Sequence, residues 1–253
     1  MTLHLVQMLP DSAALVRFAR RAALPPDDQG YLWHRALRDA FGSIAPQPFR
    51  SFDENTRPVR LLGYSRGDER QLREALALAA PDLDHLFPAD RIETKTLPLP
   101  FAMGRRLAFE TRVCPIVRTR STDCRPQREL DAFIHHASGM PDAARPEREP
   151  VYRAWLADRL AGAGCRLLAA RMISFRLVPL VRRRHASPNG RTATEEEPAR
   201  RLLAVSKGAA RRPEVVFDGV LEVTEPKSFA LGLTRGIGRH RAFGFGMLLL
   251  RPA

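Results

Sequence analysis

Two stretches of this chain carry side chains able to act on a phosphodiester. In "YLWHRALRDAFG", Tyr31, His34, Arg35 and Arg38 recur at spacings of three and four, which on a helix gathers them on one side. A histidine that titrates near neutrality suits proton transfer. Arginine is a poor base, but it clamps a phosphate or the extra charge of a phosphorane. The second stretch, "RGIGRHRAFGFGMLLLRPA", closes the chain. Its glycines Gly236, Gly238, Gly244 and Gly246 surround Arg235, Arg239, His240 and Arg241. Glycines let a backbone approach a bulky phosphate and point amides at it, and the arginines add full charges. The loop is not a P-loop, since no G-K-[ST] follows. It does not follow an opening strand ahead of a long helix either, which excludes a dinucleotide site. The plainer alternative is a helix C-cap followed by a bulged strand.

The elements around these stretches follow from periodicity. "TLHLVQML" reads as a strand and "DSAALVRFARRAAL" as a helix capped by Asp11 or Ser12. The second helix, "YLWHRALRDAFG", has Trp33, Ala36, Leu37, Ala40 and Phe41 as its core stripe and stops at Gly42. A strand "PVRLLGYS", a helix "GDERQLREALALAAPDL" and a strand near "RIETKTLPL" complete a β-α-β-β-α-β pattern. The order then repeats through "RRLAFETRVCPIVRT", "VYRAWLADRLAGAG", "CRLLAARMISFRLV", "RPEVVFDGVLEVT", "EPKSFALGLTRG" and "FGFGMLLLRP". The fold expected is α+β: two tandem ferredoxin-like (RRM-like) domains, 1–92 and 93–253. The second carries an insertion, 119–149, with a helix around "PQRELDAFIHHA", and a basic hairpin, 181–205. Trp33 and Trp155 are assigned to the core. His135 and His136 diverge as neighbours on a helix, so they are read as surface or RNA contacts and not as a metal pair.

Composition narrows the partners. The 253 residues carry a net charge of +13, and all basic residues but Lys95, Lys207 and Lys227 are arginine. A GC-rich genome explains arginine in place of lysine, but not the excess over acids. Such a surface attracts polyanions. The three cysteines, Cys114, Cys124 and Cys165, lack metal-ligand spacing, which points to a reducing cytoplasm. No signal peptide or membrane-spanning run is evident. No acidic cluster for metals stands out, and no cofactor is called for.

The glycine-rich stretch "GIGRHRAFGFG" resembles the signature of the CRISPR RNA-processing endoribonucleases of the repeat-associated protein superfamily, above all their subtype E branch. Arg241 stands where a lysine is usual. "VVFDGVLEVTEPKSFALGLTRG", "FETRVCPIV" and "VYRAWLADRLAGAGCRLL" resemble other parts of that branch. "YLWHRAL" resembles its histidine-bearing helix, with His34 in the catalytic role and Tyr31 in support. The long arginine-bearing insertion is more like the crRNA-maturation nuclease of type IV systems.

The resemblance implies a protein that binds CRISPR repeat RNA hairpins and cuts precursor crRNA at the stem base. It implies metal-independent attack by the 2′-hydroxyl, leaving 2′,3′-cyclic phosphate and 5′-hydroxyl ends, and retention of the crRNA with other effector subunits. His34, Tyr31, Arg38 and Arg241 are the candidate catalytic residues. Arg35, Arg112, Arg125, Arg128, Arg182, Arg183, Arg184, Gly236, Gly238, Arg239, His240, Gly244 and Gly246 are the candidate RNA contacts, and the insertion is expected to grip RNA, its Arg120, Arg145 and Arg148 included. Two alternatives remain at this stage: a catalytically inactive RNA-binding scaffold subunit, and a ribosome- or tRNA-associated RNA-binding protein.

Overall fold

The structure, a computed structural model, describes residues 2–24, 29–52, 59–119, 129–138, 140–141, 146–179 and 211–253. The first unit runs β1 (His4–Met8), α1 (Ser12–Arg21), α2 (Gln29–Phe41), β2 (Phe49–Phe52), β3 (Arg60–Ser65), α3 (Glu69–Ala77), α4 (Pro81–Leu86) and β4 (Ile92–Thr96). Its sheet has the order β2-β3-β1-β4 and is antiparallel throughout, the ferredoxin-like arrangement. Asp11 caps α1 by accepting from the Ala14 amide at 2.6 Å. The predicted stripe of α2 is buried as a block, with Leu32 added to it. Together with Val6, Phe18 and Leu61 it forms one core.

Three details differ from the periodicity. The strand β2 went unread, because "FRSF" alternates over only four residues. The helix after β3 is two helices, since Pro81 lacks the amide a continuous helix needs and starts α4 instead. And β4 pairs along the whole of β1 as far as Thr96, beyond residue 92 where the sequence reading ends the first unit.

The second unit runs β5 (Arg106–Val113), β6 (Ile116–Arg118), β7 (Glu129–Asp131), α5 (Ala132–Ala137), α6 (Arg148–Ala161), β8 (Cys165–Pro179), β9 (Arg211–Val223), α7 (Pro226–Arg235) and β10 (Leu248–Pro252). Its sheet, β10-β5-β9-β8, repeats the same antiparallel topology. The run read as one strand breaks into β5 and β6 at Cys114–Pro115, where proline ends the ladder. The insertion's helix is only α5, because Glu129–Asp131 pairs with β6 as a strand. His135 and His136 lie exposed on α5. Arg148, at the start of α6, faces inward: it donates to the Tyr152 hydroxyl at 2.8 Å, and its guanidinium lies over Phe133. Tyr152 in turn donates to Asp131, which fixes the insertion to α6. The hairpin 181–205 lies outside the described residues.

The two units meet along their sheets. Tyr64 of β3 donates to the Leu248 carbonyl of β10 at 2.6 Å, and Arg50 of β2 pairs with Glu110 of β5 at 2.5 Å. Leu3 and Tyr64 belong to the second unit's core. This junction brings the N-terminal turn of α2 against the loop 236–246. Gly30 makes the approach possible: a Cβ there would lie 2.6 Å from the Phe243 carbonyl oxygen. Among the described residues, no helix is long and apolar enough to cross a membrane.

Candidate active site

A groove of about 1550 Å³ opens where α2, the glycine loop, β6, α6 and α7 converge. Its lining includes Arg35, Arg118, Arg159, Arg235, Arg239 and Arg241, with His34 and His240, and no acidic side chain among the described residues. Such a lining focuses positive potential on whatever enters.

At one end sits Phe243, in the 3₁₀ turn Arg241–Phe243. Tyr31, His34 and His240 gather around its ring, with centroids 6.1, 6.1 and 6.0 Å away. The helix and the loop, distant in sequence, thus share one aromatic pivot. His34 is half-buried. Burial lowers its pKa below the ordinary 6.5, the charge of Arg38 lowers it further, and Asp39 pulls partly back. A lowered pKa keeps the imidazole neutral at pH 7 and able to accept a proton. Exposed Arg38 acts on His34 through this field. Arg35 is bound to Asp39 at 2.7 Å, one turn along α2.

The glycine loop is held from inside. Gly236 ends α7 at φ 73°, its amide donating to the Gly232 carbonyl at 2.8 Å. Gly238, Gly244 and Gly246 also have positive φ. Their missing side chains make room for the protein itself. A Cβ on Gly238 would sit 2.7 Å from the Trp155 ring, one on Gly244 would meet the Arg112 guanidinium, and one on Gly246 would meet the Ile237 carbonyl. Gly244 and Gly246 are buried, and protein atoms take up the room at both. Gly236 and Gly238 do line the groove. Arg112 is also internal: it donates to the Gly244 carbonyl at 3.0 Å and stacks over Phe245. Only 11% of its side chain is exposed.

Arg239 and His240 answer to an acid that the sequence did not mark. Glu129, at the start of β7, lies 3.2 Å from each of them, and the Arg212 side chain donates to its carbonyl at 2.6 Å. One glutamate among the mixed charges of the insertion gives no motif; its role depends on the fold bringing residues 129 and 240 together. Arg241 donates to the Arg235 carbonyl at 2.8 Å, which ties the turn to the end of α7. Arg125, Arg128, Arg182, Arg183 and Arg184 lie outside the described residues. Arg118, Arg159 and Phe243 are groove residues that the sequence did not mark, and Arg235 of the glycine-loop cluster joins them. Among the described residues, no group of three or more His, Cys, Asp or Glu is placed to hold a metal ion.

Fold and site together define a tandem ferredoxin-like protein with a cationic, histidine-bearing groove at its domain junction. A family model described as "CRISPR associated protein" matches residues 4–252, and the chain belongs to that family. Three solved structures share its fold. A CRISPR endoribonuclease Cse3 bound to 19-nt RNA is 19% identical, with 100% of both chains covered and a TM-score of 0.63. Cse3 of Thermus thermophilus, bound to an RNA representing a pre-cleavage complex, is 22% identical over 100% of both chains, with a TM-score of 0.58. A chain of a CRISPR RNA-guided surveillance complex in a pre-nicking state is 17% identical, covering 99% of this chain and 100% of that one, with a TM-score of 0.56. No curated protein matches the sequence.

Proposed function

We propose that this protein is a metal-independent endoribonuclease that binds CRISPR repeat RNA hairpins and cuts precursor crRNA at the stem base. The observation that carries the reading is the groove lined by six arginines, with a neutral-leaning histidine at one end. The fold shared with RNA-bound Cse3 supports it. His34 accepts the proton of the 2′-hydroxyl, whose oxygen attacks the adjacent phosphorus. The bond to the 5′-oxygen breaks, and that oxygen leaves as a hydroxyl with a proton from the solvent, to which the His34 imidazolium gives up its own. The other product is a 2′,3′-cyclic phosphate. Arg241 and Arg239, with the amide of Gly238, meet the charge that develops on the phosphorane. Tyr31, packed with His34 on Phe243, orients the imidazole. The stem lies along the basic surface by phosphate contacts, since the deep groove of A-form RNA hides its base edges. In this reading the protein works in the cytoplasm and stays on its crRNA as a subunit of an effector complex.

The reading is tested with its repeat RNA, a tRNA and a ribosomal hairpin, each incubated with the protein in EDTA. Only the repeat should be cut, at one site at the stem base. Cleavage that needs a divalent ion contradicts the mechanism. Tight binding without cleavage supports a scaffold, and equal handling of all the RNAs supports a general RNA-binding protein.

The field at His34 gives a second test. The acid limb of the single-turnover pH–rate profile should fall below the ordinary 6.5 of histidine, because burial and Arg38 both disfavour the imidazolium. Arg38→Ala removes one lowering charge, so the limb should move to higher pH. A limb that stays put in Arg38→Ala assigns the titration to another group.

A further inference from the structure

The groove has two unlike ends. The His34 end is polar and aromatic. The other arm has an apolar floor, and the elements that build it are tightly joined. Trp155 of α6 donates from its indole nitrogen to the Ile116 carbonyl of β6 at 3.2 Å. The end of α6 lies directly on α7, because a Cβ on Gly232 would be 2.9 Å from that of Ala163. Val117, Ala163 and Leu231 complete the floor, and Leu231 is 42% exposed. Around this floor stand Arg118 from β6, Arg159 from α6 and Arg235 from α7. Arg159 lies over Trp155, 5.7 Å from the ring centroid.

We infer that this arm binds unpaired RNA on the far side of the cut from the stem, with bases on the floor and phosphates at Arg118, Arg159 and Arg235. The inference rests on the reading that the groove takes RNA. A paired stem hides its bases and offers phosphates and a shallow groove, so it has no use for an apolar floor. Unpaired nucleotides present both a flat apolar face and an anion, and this arm offers a partner for each. Helices α6 and α7 both end here, and helix C-termini disfavour phosphate, so the phosphates belong with the arginines and the bases with the floor. The geometry also divides the substrate. A stem has no base faces to lay on a floor flanked by β6, α6 and α7, whereas a single strand leaving the reacting phosphate has.

The test compares binding of three RNAs, each with a 2′-deoxy sugar at the cut so that none is consumed. One repeat hairpin ends at the cut. A second continues into a short unpaired tail. The third has the same tail without its bases. For the parent protein the tail should tighten binding by about tenfold or more, and the abasic tail by clearly less, as base contacts of this kind contribute measurably to single-strand affinity. The double variant Arg118→Ala/Arg235→Ala should lose most of the advantage of the tail and should flatten the extra salt dependence that the tail brings. Leu231→Asp should abolish the difference between the normal and the abasic tail. All three positions are surface-accessible, and a thermal melt checks that the variants are folded. A tail that adds nothing to the parent overturns this inference and leaves the cleavage reading standing. So does a double variant that weakens tailed and tailless hairpins in the same proportion, because the arm then holds the stem. Failure of the parent to bind the tailless hairpin overturns the proposed function, and this inference with it.

Discussion

His34→Ala is expected to slow single-turnover cleavage of the repeat hairpin by roughly 10²–10⁴-fold, the usual contribution of a positioned general base. Binding should change little. His34 reaches the groove from the exposed side of α2, and the buried stripe of that helix does not include it. The cationic lining that would hold RNA comes from other residues. The effect should therefore appear in the rate constant and not in the dissociation constant. His240 is the obvious rival, since it packs on the same Phe243 ring. Its ring nitrogen, however, lies 3.2 Å from Glu129, and only 5% of its side chain is exposed. His240→Ala should accordingly loosen the loop and weaken binding, a different signature from that of His34→Ala. A His34→Ala protein that cuts at the parental rate would move proton transfer to another group.

The second large effect concerns stability. Gly246 has a φ of 80°, and a Cβ there would lie 2.9 Å from the Ile237 nitrogen and meet the Ile237 carbonyl as well. That carbonyl cannot simply move, because the Ile237 amide donates to the Gly246 carbonyl at 2.7 Å and the Gly246 amide donates to Arg112 at 2.7 Å. Gly246→Ala should therefore cost the strain of positive φ, about 1–3 kcal/mol, and the displacement of this double tie in addition. At about 2–4 °C per kcal/mol for a chain of this size, the melting temperature should fall by at least several degrees. Gly104 supplies the control, with a φ of 79° and nothing within 4 Å of its Cβ position. Gly104→Ala carries the backbone strain alone, so the difference between the two melts isolates the packing of the loop. Equal melting temperatures would mean that the loop can relax, and that its shape is not fixed by Ile237.

Legibility in the sequence tracked how local the determining physics is. The α2 stripe and the repeated strand–helix order come from periodicities within a dozen residues, and both units have the expected ferredoxin-like topology. Edge strand β2 was too short to show a period. At the candidate site, Tyr31 and His34 were legible because one helical face holds them, and the structure brings both to the loop. The purpose of the glycines was not. Four glycines among arginines suggest room for an anion, but the atoms that need the room belong to Trp155, Arg112 and Ile237. Two of those three are far off in the chain. Phe243 was hidden for a similar reason. Between glycines and ahead of an apolar run it reads as a strand residue, and only the fold places His34, Tyr31 and His240 around it.

The central claim is that the groove beside His34 promotes attack by the RNA's own 2′-hydroxyl. One substitution in the substrate tests it most directly: a single 2′-deoxy nucleotide immediately 5′ of the scissile phosphate, with binding and cleavage measured on the same RNA. The account predicts that this RNA binds like the unmodified repeat and is not cut, while the unmodified repeat yields a 2′,3′-cyclic phosphate and a 5′-hydroxyl. Cleavage of the deoxy RNA at the same position would show that water or another nucleophile attacks the phosphorus, and would contradict the account.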